Sequence, residues 1–196
     1  MTLKTLLQHA VASINAPRDQ ARWVMSIDLS RQQRWQALVA ISVLSTVLTV
    51  LIEFIKTGQA TFLLGLVTVN PFVGAIATVS NAIITVFIIY WAGRAFGGQG
   101  RFPDVISIVA WLQFILTCIL AAQLVVLLVL PPLLAMTDVV ALVAIFYLFS
   151  HFVAELHGFR SALNVFLAMI AVSAAFVIGL YMLAGMAGLA LSGASV

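Results

Sequence analysis

Residues 57–93 carry no charged side chain, and apolar runs of the same kind fill most of the chain after residue 36. A chain built this way cannot keep its apolar surface from water by folding on itself, because a large share of any small domain stays at its boundary. Composition agrees. Of the 196 residues, 64% are hydrophobic and 8% charged, against roughly 25% charged in soluble domains. A soluble enzyme, a disordered chain and a disulfide scaffold are excluded, and the sequence is read as an all-α polytopic membrane protein. The lone cysteine, Cys118, lies within an apolar run, which leaves no intrachain disulfide and no paired thiolate metal site. The first apolar run begins at Ala37 behind a polar stretch with five cations, so no cleaved signal peptide is expected.

About 20 mostly apolar residues cross the hydrocarbon as a helix. Charges and prolines then divide the chain into five spans, about 37–55, 72–92, 105–130, 139–155 and 162–184. Asn70-Pro71 separates the first two, since proline disfavours a helical residue before it and suits a helix's first turn. Pro131-Pro132 ends the third. The fourth is short, which predicts Asp138 and Glu155 at opposite interfaces. Residues 61–69 are too short to cross and read as an interfacial or partly re-entrant link. The runs are continuously apolar, unlike the alternation of a membrane β-barrel. Eight of the nine cations (Lys4, Arg18, Arg22, Arg31, Arg34, Arg94, Arg101 and Arg160) fall on one side of this layout and only Lys56 on the other. The excess of cations on cytoplasmic loops predicts N-terminus in, C-terminus out.

Two parts follow: a cytoplasmic head, 1–35, and a transmembrane domain, 36–196. In the head, Leu3, Leu6, Leu7, Ala10, Val11 and Ile14 recur at helical spacing, predicting an amphipathic helix over Thr2–Asn15 that lies in the membrane surface. Packing against the chain's own loops is the alternative. After Pro17, residues 20–34 read as one Arg- and Trp-bearing helix entering the membrane, with Trp23 and Trp35 as interface anchors.

Pro17 in the head, five spans, the loop Gly93-Arg-Ala-Phe-Gly-Gly-Gln-Gly-Arg-Phe102 and the segment Glu155-Leu-His-Gly-Phe-Arg-Ser-Ala162 together resemble the bacterial branch of the Yip family, five-span proteins named for interaction with Ypt/Rab GTPases. The resemblance implies a cytoplasmic N-terminus, an inner-membrane location and no settled activity, with permease function among the suggestions for such proteins. Two departures limit it. The acidic and tyrosine-bearing cytoplasmic motifs of the eukaryotic members have no counterpart, and residues 110–114 read Ala-Trp-Leu-Gln-Phe where relatives often place proline. A GTPase partner is therefore not carried over.

The candidate residues are few. Gly97 and Gly98 suit a tight turn rather than a phosphate cradle, because no strand precedes them and no Lys-Ser/Thr pair follows. Arg94 and Arg101 beside them are candidate contacts for a partner or lipid headgroup. Glu53 is the one acid placed within a span, and Lys56, three residues on, shares its face; an interfacial ion pair or a proton relay follows. His151 and Glu155, four apart, form a candidate hydrogen-bonded pair at a helix end, with His157 just beyond. Three or four converging ligands are lacking for a metal. Asn81 with Thr85, and Gln113 with Thr117, are each four apart and predict one polar seam between the second and third spans. Ala171, Ala175 and Gly179 give the fifth span a small-residue packing face. No catalytic constellation, cofactor motif or nucleic-acid signature is present, so no enzyme is expected. The leading reading is a membrane organiser or partner-binding protein whose partners are the bilayer, other membrane proteins or a second copy. A small-solute or ion channel or transporter is the alternative.

Overall fold

A computed structural model describes residues 2–58, 61–62, 67–68, 70–172, 174, 178–179 and 182. Local signals set most helix ends. Helix α1 (Leu3–Asn15) starts where the Thr2 side chain caps Thr5 N–H, and α2 (Pro17–Ser26) opens on proline, whose missing N–H costs nothing at a first turn. Helix α3 (Arg31–Thr57) begins in a reciprocal cap: Gln33 N–H donates to Ser30 Oγ at 3.2 Å and Ser30 N–H to Gln33 Oε1 at 2.8 Å. It ends at Gly58, whose φ of 72° is cheap only for glycine. Asn70 and Pro71 start α4 (Pro71–Ala95), and α5 (Phe102–Val129) runs until the prolines at 131 and 132. A single 3₁₀ turn over those prolines leads into α6 (Leu134–His157), which stops at Gly158, again left-handed. Helix α7 covers Ala162–Val172.

Four helices are long and apolar enough to cross a membrane: α3, α4, α5, and the 3₁₀ turn continued by α6. Helix α7 is shorter, and the rest of the expected fifth span lies outside the described residues. The expectations need two corrections. Residues 20–34 do not form one helix, because Ile27–Ser30 interrupt it and the Ser30 cap restarts it. The fourth span is longer than 139–155, so Asp138 lies within α6 rather than at its beginning, and its Oδ1 accepts from Gln123 Nε2 on α5 at 2.8 Å. In the link between α3 and α4, residues 61–62 pair antiparallel with 67–68 as a minimal hairpin.

Helix α5 is the axis of the fold. Its most extensive neighbour is α3, and α6, α4 and α2 also pack on it. Every residue from Val105 to Trp111 is buried, so this stretch is covered on all sides. The cover includes the head: Ala10, Ala21 and Val24 belong to the same continuous core as Ile106, Ile108 and Phe152. At the opposite end Val125, Leu128, Val129, Val139 and Val140 are all exposed apolar groups, as lipid-facing side chains must be.

Candidate functional site

Polar side chains concentrate where the head meets the helix ends. Three clusters bind it together, and sequence reasoning anticipated only fragments of each.

The first is built on Arg34, one turn into α3 and 9% exposed. Its Nε donates to Leu29 O at 3.1 Å, and its terminal nitrogens to Ile27 O at 3.4 Å, Pro103 O at 3.3 Å and Ser107 Oγ. Asp104 Oδ1 lies 3.7 Å away. A planar guanidinium with five donors is suited to this work, and an ammonium could not span the same set of acceptors. Arg34 thus ties the α2–α3 break to the first turns of α5. On sequence it counted only as one cation among five; the cap signal Ser30-x-x-Gln33 was the available clue that a helix begins here.

The second cluster surrounds His157, which is 2% exposed. Gly100 N–H donates to its Nδ1 at 3.3 Å. That makes Nδ1 the acceptor, so Nε2 carries the proton and donates to Ile89 O at 3.1 Å. The ring is held by α4 on one side and the α4–α5 loop on the other. A Cβ at Gly93 would lie 2.1 Å from the ring, at Gly98 2.6 Å and at Gly100 2.8 Å. Glycine is needed at these three places so that an imidazole can press against backbone. Gly97 alone matches the turn expectation, with φ 81° and open space around it. Gln99 N–H donates to His157 O at 3.2 Å and closes the loop on the end of α6. Arg94 and Arg101, the expected loop contacts, are both exposed; Arg94 lies 5.9 Å from the Tyr90 ring centre and Arg101 4.0 Å from Asp104.

The third cluster corrects the expected His151–Glu155 pair. Glu155 instead accepts from Arg22 at 3.1 Å and sits 3.9 Å from Arg18, both on α2. His151 Nδ1 bonds Tyr147 O within its own helix, at 2.8 Å. Arg18 also donates to Arg160 O at 2.8 Å and Phe159 O at 3.4 Å, and Arg22 pairs with Asp19. Beside this clamp, Trp23 stacks on His9 at 3.6 Å and meets Trp111 edge-on at 5.2 Å, while Trp111 Nε1 donates to Ser13 Oγ at 3.2 Å. Trp23 is therefore a joint between head and bundle.

The polar seam also forms differently from expectation. Gln113 Nε2 donates to Ser45 Oγ at 3.0 Å, the Ser45 and Thr117 hydroxyls share a hydrogen bond, and Thr117 Oγ1 donates to Gln113 O at 2.8 Å. This closed circuit joins α5 to α3. Asn81 is exposed on α4 and takes no part. The missed signal was Ser42, Ser45, Thr46 and Thr49, which share one face of an otherwise apolar α3. Ser42 is wholly buried and its Oγ has no partner among the described residues.

Lys56 Nζ donates to Glu53 Oε1 at 2.9 Å. Of the small-residue face, Ala171 is exposed and a Cβ at Gly179 would meet open space, while Ala175 lies outside the described residues. Among the described residues, helix α7 packs on the core through Ala162, Val165 and Met169. Among the described residues no group of three His, Cys, Asp or Glu is placed to hold a metal.

A family model described as the Yip1 domain matches residues 11–183, from within α1 to beyond α7. No curated protein and no solved structure matches the chain significantly.

Proposed function

The chain belongs to the Yip1 family, and from that membership we propose that it is a non-catalytic integral membrane protein that organises the bilayer through its docked N-terminal head. The observation that carries this is the division of labour on α1. Its inner face, with Leu6, Ala10 and Ser13, is spent on the chain itself. Leu3, Leu7, Val11 and Ile14 form an outward apolar stripe, exposed by 42–66%, beside Lys4. At 1.5 Å per residue α5 is about 42 Å long, beyond the roughly 30 Å of hydrocarbon. Trp111, which holds Ser13, lies about 13 Å along α5 from its start. This depth suits the boundary between headgroups and acyl chains, where an apolar stripe is covered by lipid.

The head faces the cytoplasm in this reading, on the strength of the eight cations that flank it, and the membrane is the inner membrane of a bacterium. Other membrane proteins or a second copy are further partner classes for the same surface. Solute conduction draws less support: Gln113, Ser45 and Thr117 are bonded to one another, and Glu53 is engaged by Lys56.

A depth measurement tests the proposal. In a Cys118→Ala background, a spin label at Val11→Cys in reconstituted protein should be relaxed by oxygen and shielded from a water-soluble nickel reagent. Full exposure to the nickel reagent would remove the bilayer as the stripe's cover. Proton or solute flux in the same vesicles that vanishes with Glu53→Gln would replace the proposal with the transport reading.

A further inference from the structure

A cavity of about 580 Å³ opens between α6 and α7 beneath Arg18 of α2. Its lining is divided along its length. Val143, Phe146, Leu163 and Phe166 make an apolar trough, and Arg18 and His151 close its head end. Phe146 and Phe166 meet edge-on at 5.9 Å across it. Val143 lies eight residues before His151 on α6, about 12 Å down the helix from the cationic end. An apolar trough of that length with a cation at one end suits the upper half of one phospholipid acyl chain under its headgroup.

The charge at that end is positive after its neighbours are counted. Arg18 and Arg22 meet two carboxylates, Asp19 and Glu155, with Arg22 taking Asp19 and the nearer oxygen of Glu155, and the exposed Arg160 beside them adds a third cation. Arg18 keeps donors to spare. Only one terminal nitrogen is spent on the Phe159 and Arg160 carbonyls, and the nearest carboxylate oxygen is 3.9 Å away. His151 donates Nδ1–H to Tyr147 O, which leaves Nε2 of the neutral ring as an acceptor for a headgroup hydroxyl. Basic pockets between membrane helices at this level are suited to acidic lipid headgroups.

We infer that the α6–α7 trough binds one anionic phospholipid, with its phosphate at Arg18, a headgroup hydroxyl at His151 and an acyl chain along Phe146, Leu163 and Phe166. This site lies apart from the α1 stripe and does not depend on the function proposed for it.

The full chain, reconstituted in nanodiscs of equal parts phosphatidylcholine and phosphatidylglycerol and released for native mass spectrometry, should retain one phosphatidylglycerol in about fivefold preference, the effect of about one cation near the headgroup. Leu163→Trp should fill the trough and abolish retention. Leu167→Trp, on an exposed position of α7 that does not line it, should leave retention intact. Arg18→Gln should bring the preference close to one; if that variant loses its thermal transition, the Leu163 and Leu167 pair decides. Equal retention of both lipids overturns the inference, as does lipid surviving Leu163→Trp. Retention of no lipid by the unmodified chain gives the trough to a protein occupant and equally overturns it.

Discussion

The two ends of the helix bundle are both rich in apolar residues and are held in different ways. At the head end, α5 is enclosed from Val105 to Trp111, and Arg34, His157 and Glu155 each bind elements far apart in sequence. At the far end, α5 and α6 present valines and leucines outward, and the contact Gln123–Asp138 is the polar tie between them among the described residues. Both ends carry long apolar side chains, but the charged groups gather at the head. What differs is directional bonding, which lipid makes valuable because no water is available to satisfy a polar group left alone. The head end is specified by geometry, and the far end mainly by insertion into hydrocarbon.

If so, the costliest change should be at Arg34. Arg34→Ala leaves Asp104 and several carbonyls without their donor in a nearly closed site, and should cost about 3–5 kcal/mol, as for other broken buried pairs. Arg34→Lys should recover only part of it, because one ammonium cannot reach all the acceptors. Thermal unfolding of the purified protein in detergent measures both. A head end indifferent to Arg34→Ala would erase the contrast.

Next comes Gly93→Ala, which sets a methyl against the His157 ring and should cost about 1–3 kcal/mol through overpacking. In a His157→Ala background the sign should reverse. With the ring gone, alanine in the interior of α4 should stabilise by up to about 1 kcal/mol over glycine. A double-mutant cycle reads that coupling directly. Additive costs would mean that the glycines are needed for something other than the imidazole.

The fold was legible in the sequence where a one-dimensional pattern carries it. Apolar runs, Asn70-Pro71 and Pro131-Pro132 were enough to find α3 to α6, because helix insertion depends on length and composition. The candidate site was less legible, since its clusters join distant residues. Nothing near His157 in sequence says that the ring will lie against Gly93, Gly98 and Gly100. The glycines looked like a turn because glycine serves both turns and close approaches, and only Gly97 is used for the first. The seam is expected on α4 because Asn81 and Thr85, like Gln113 and Thr117, are four apart. Ser45 won because serine on α3 faces α5 and Asn81 is exposed.

Smaller effects should sharpen the comparison. Ser42→Ala removes a buried hydroxyl that has no partner among the described residues, and should leave the protein unchanged or stabilise it by about 1 kcal/mol, visible as a modest rise in Tm. The seam would need another explanation if this variant were clearly destabilised. Smallest of all should be Val140→Ala on the outward face of α6, within about 0.5 kcal/mol of the parent. A large loss there would show that the far end is covered by protein rather than lipid.

The clamp on Glu155 has a consequence for the order in which the molecule is made. Arg22 leaves the ribosome 133 residues ahead of the carboxylate it will bind, and synthesis runs from the N-terminus at about 5–20 residues per second. For several seconds at least, α1 and α2 exist with their partners on α6 still unwritten, and the glycine loop waits for an imidazole that has not been translated. Closure of the head therefore waits on α6: only a chain whose α6 has been threaded to its last turn can supply both Glu155 and His157. The head is made well before the helix that closes it.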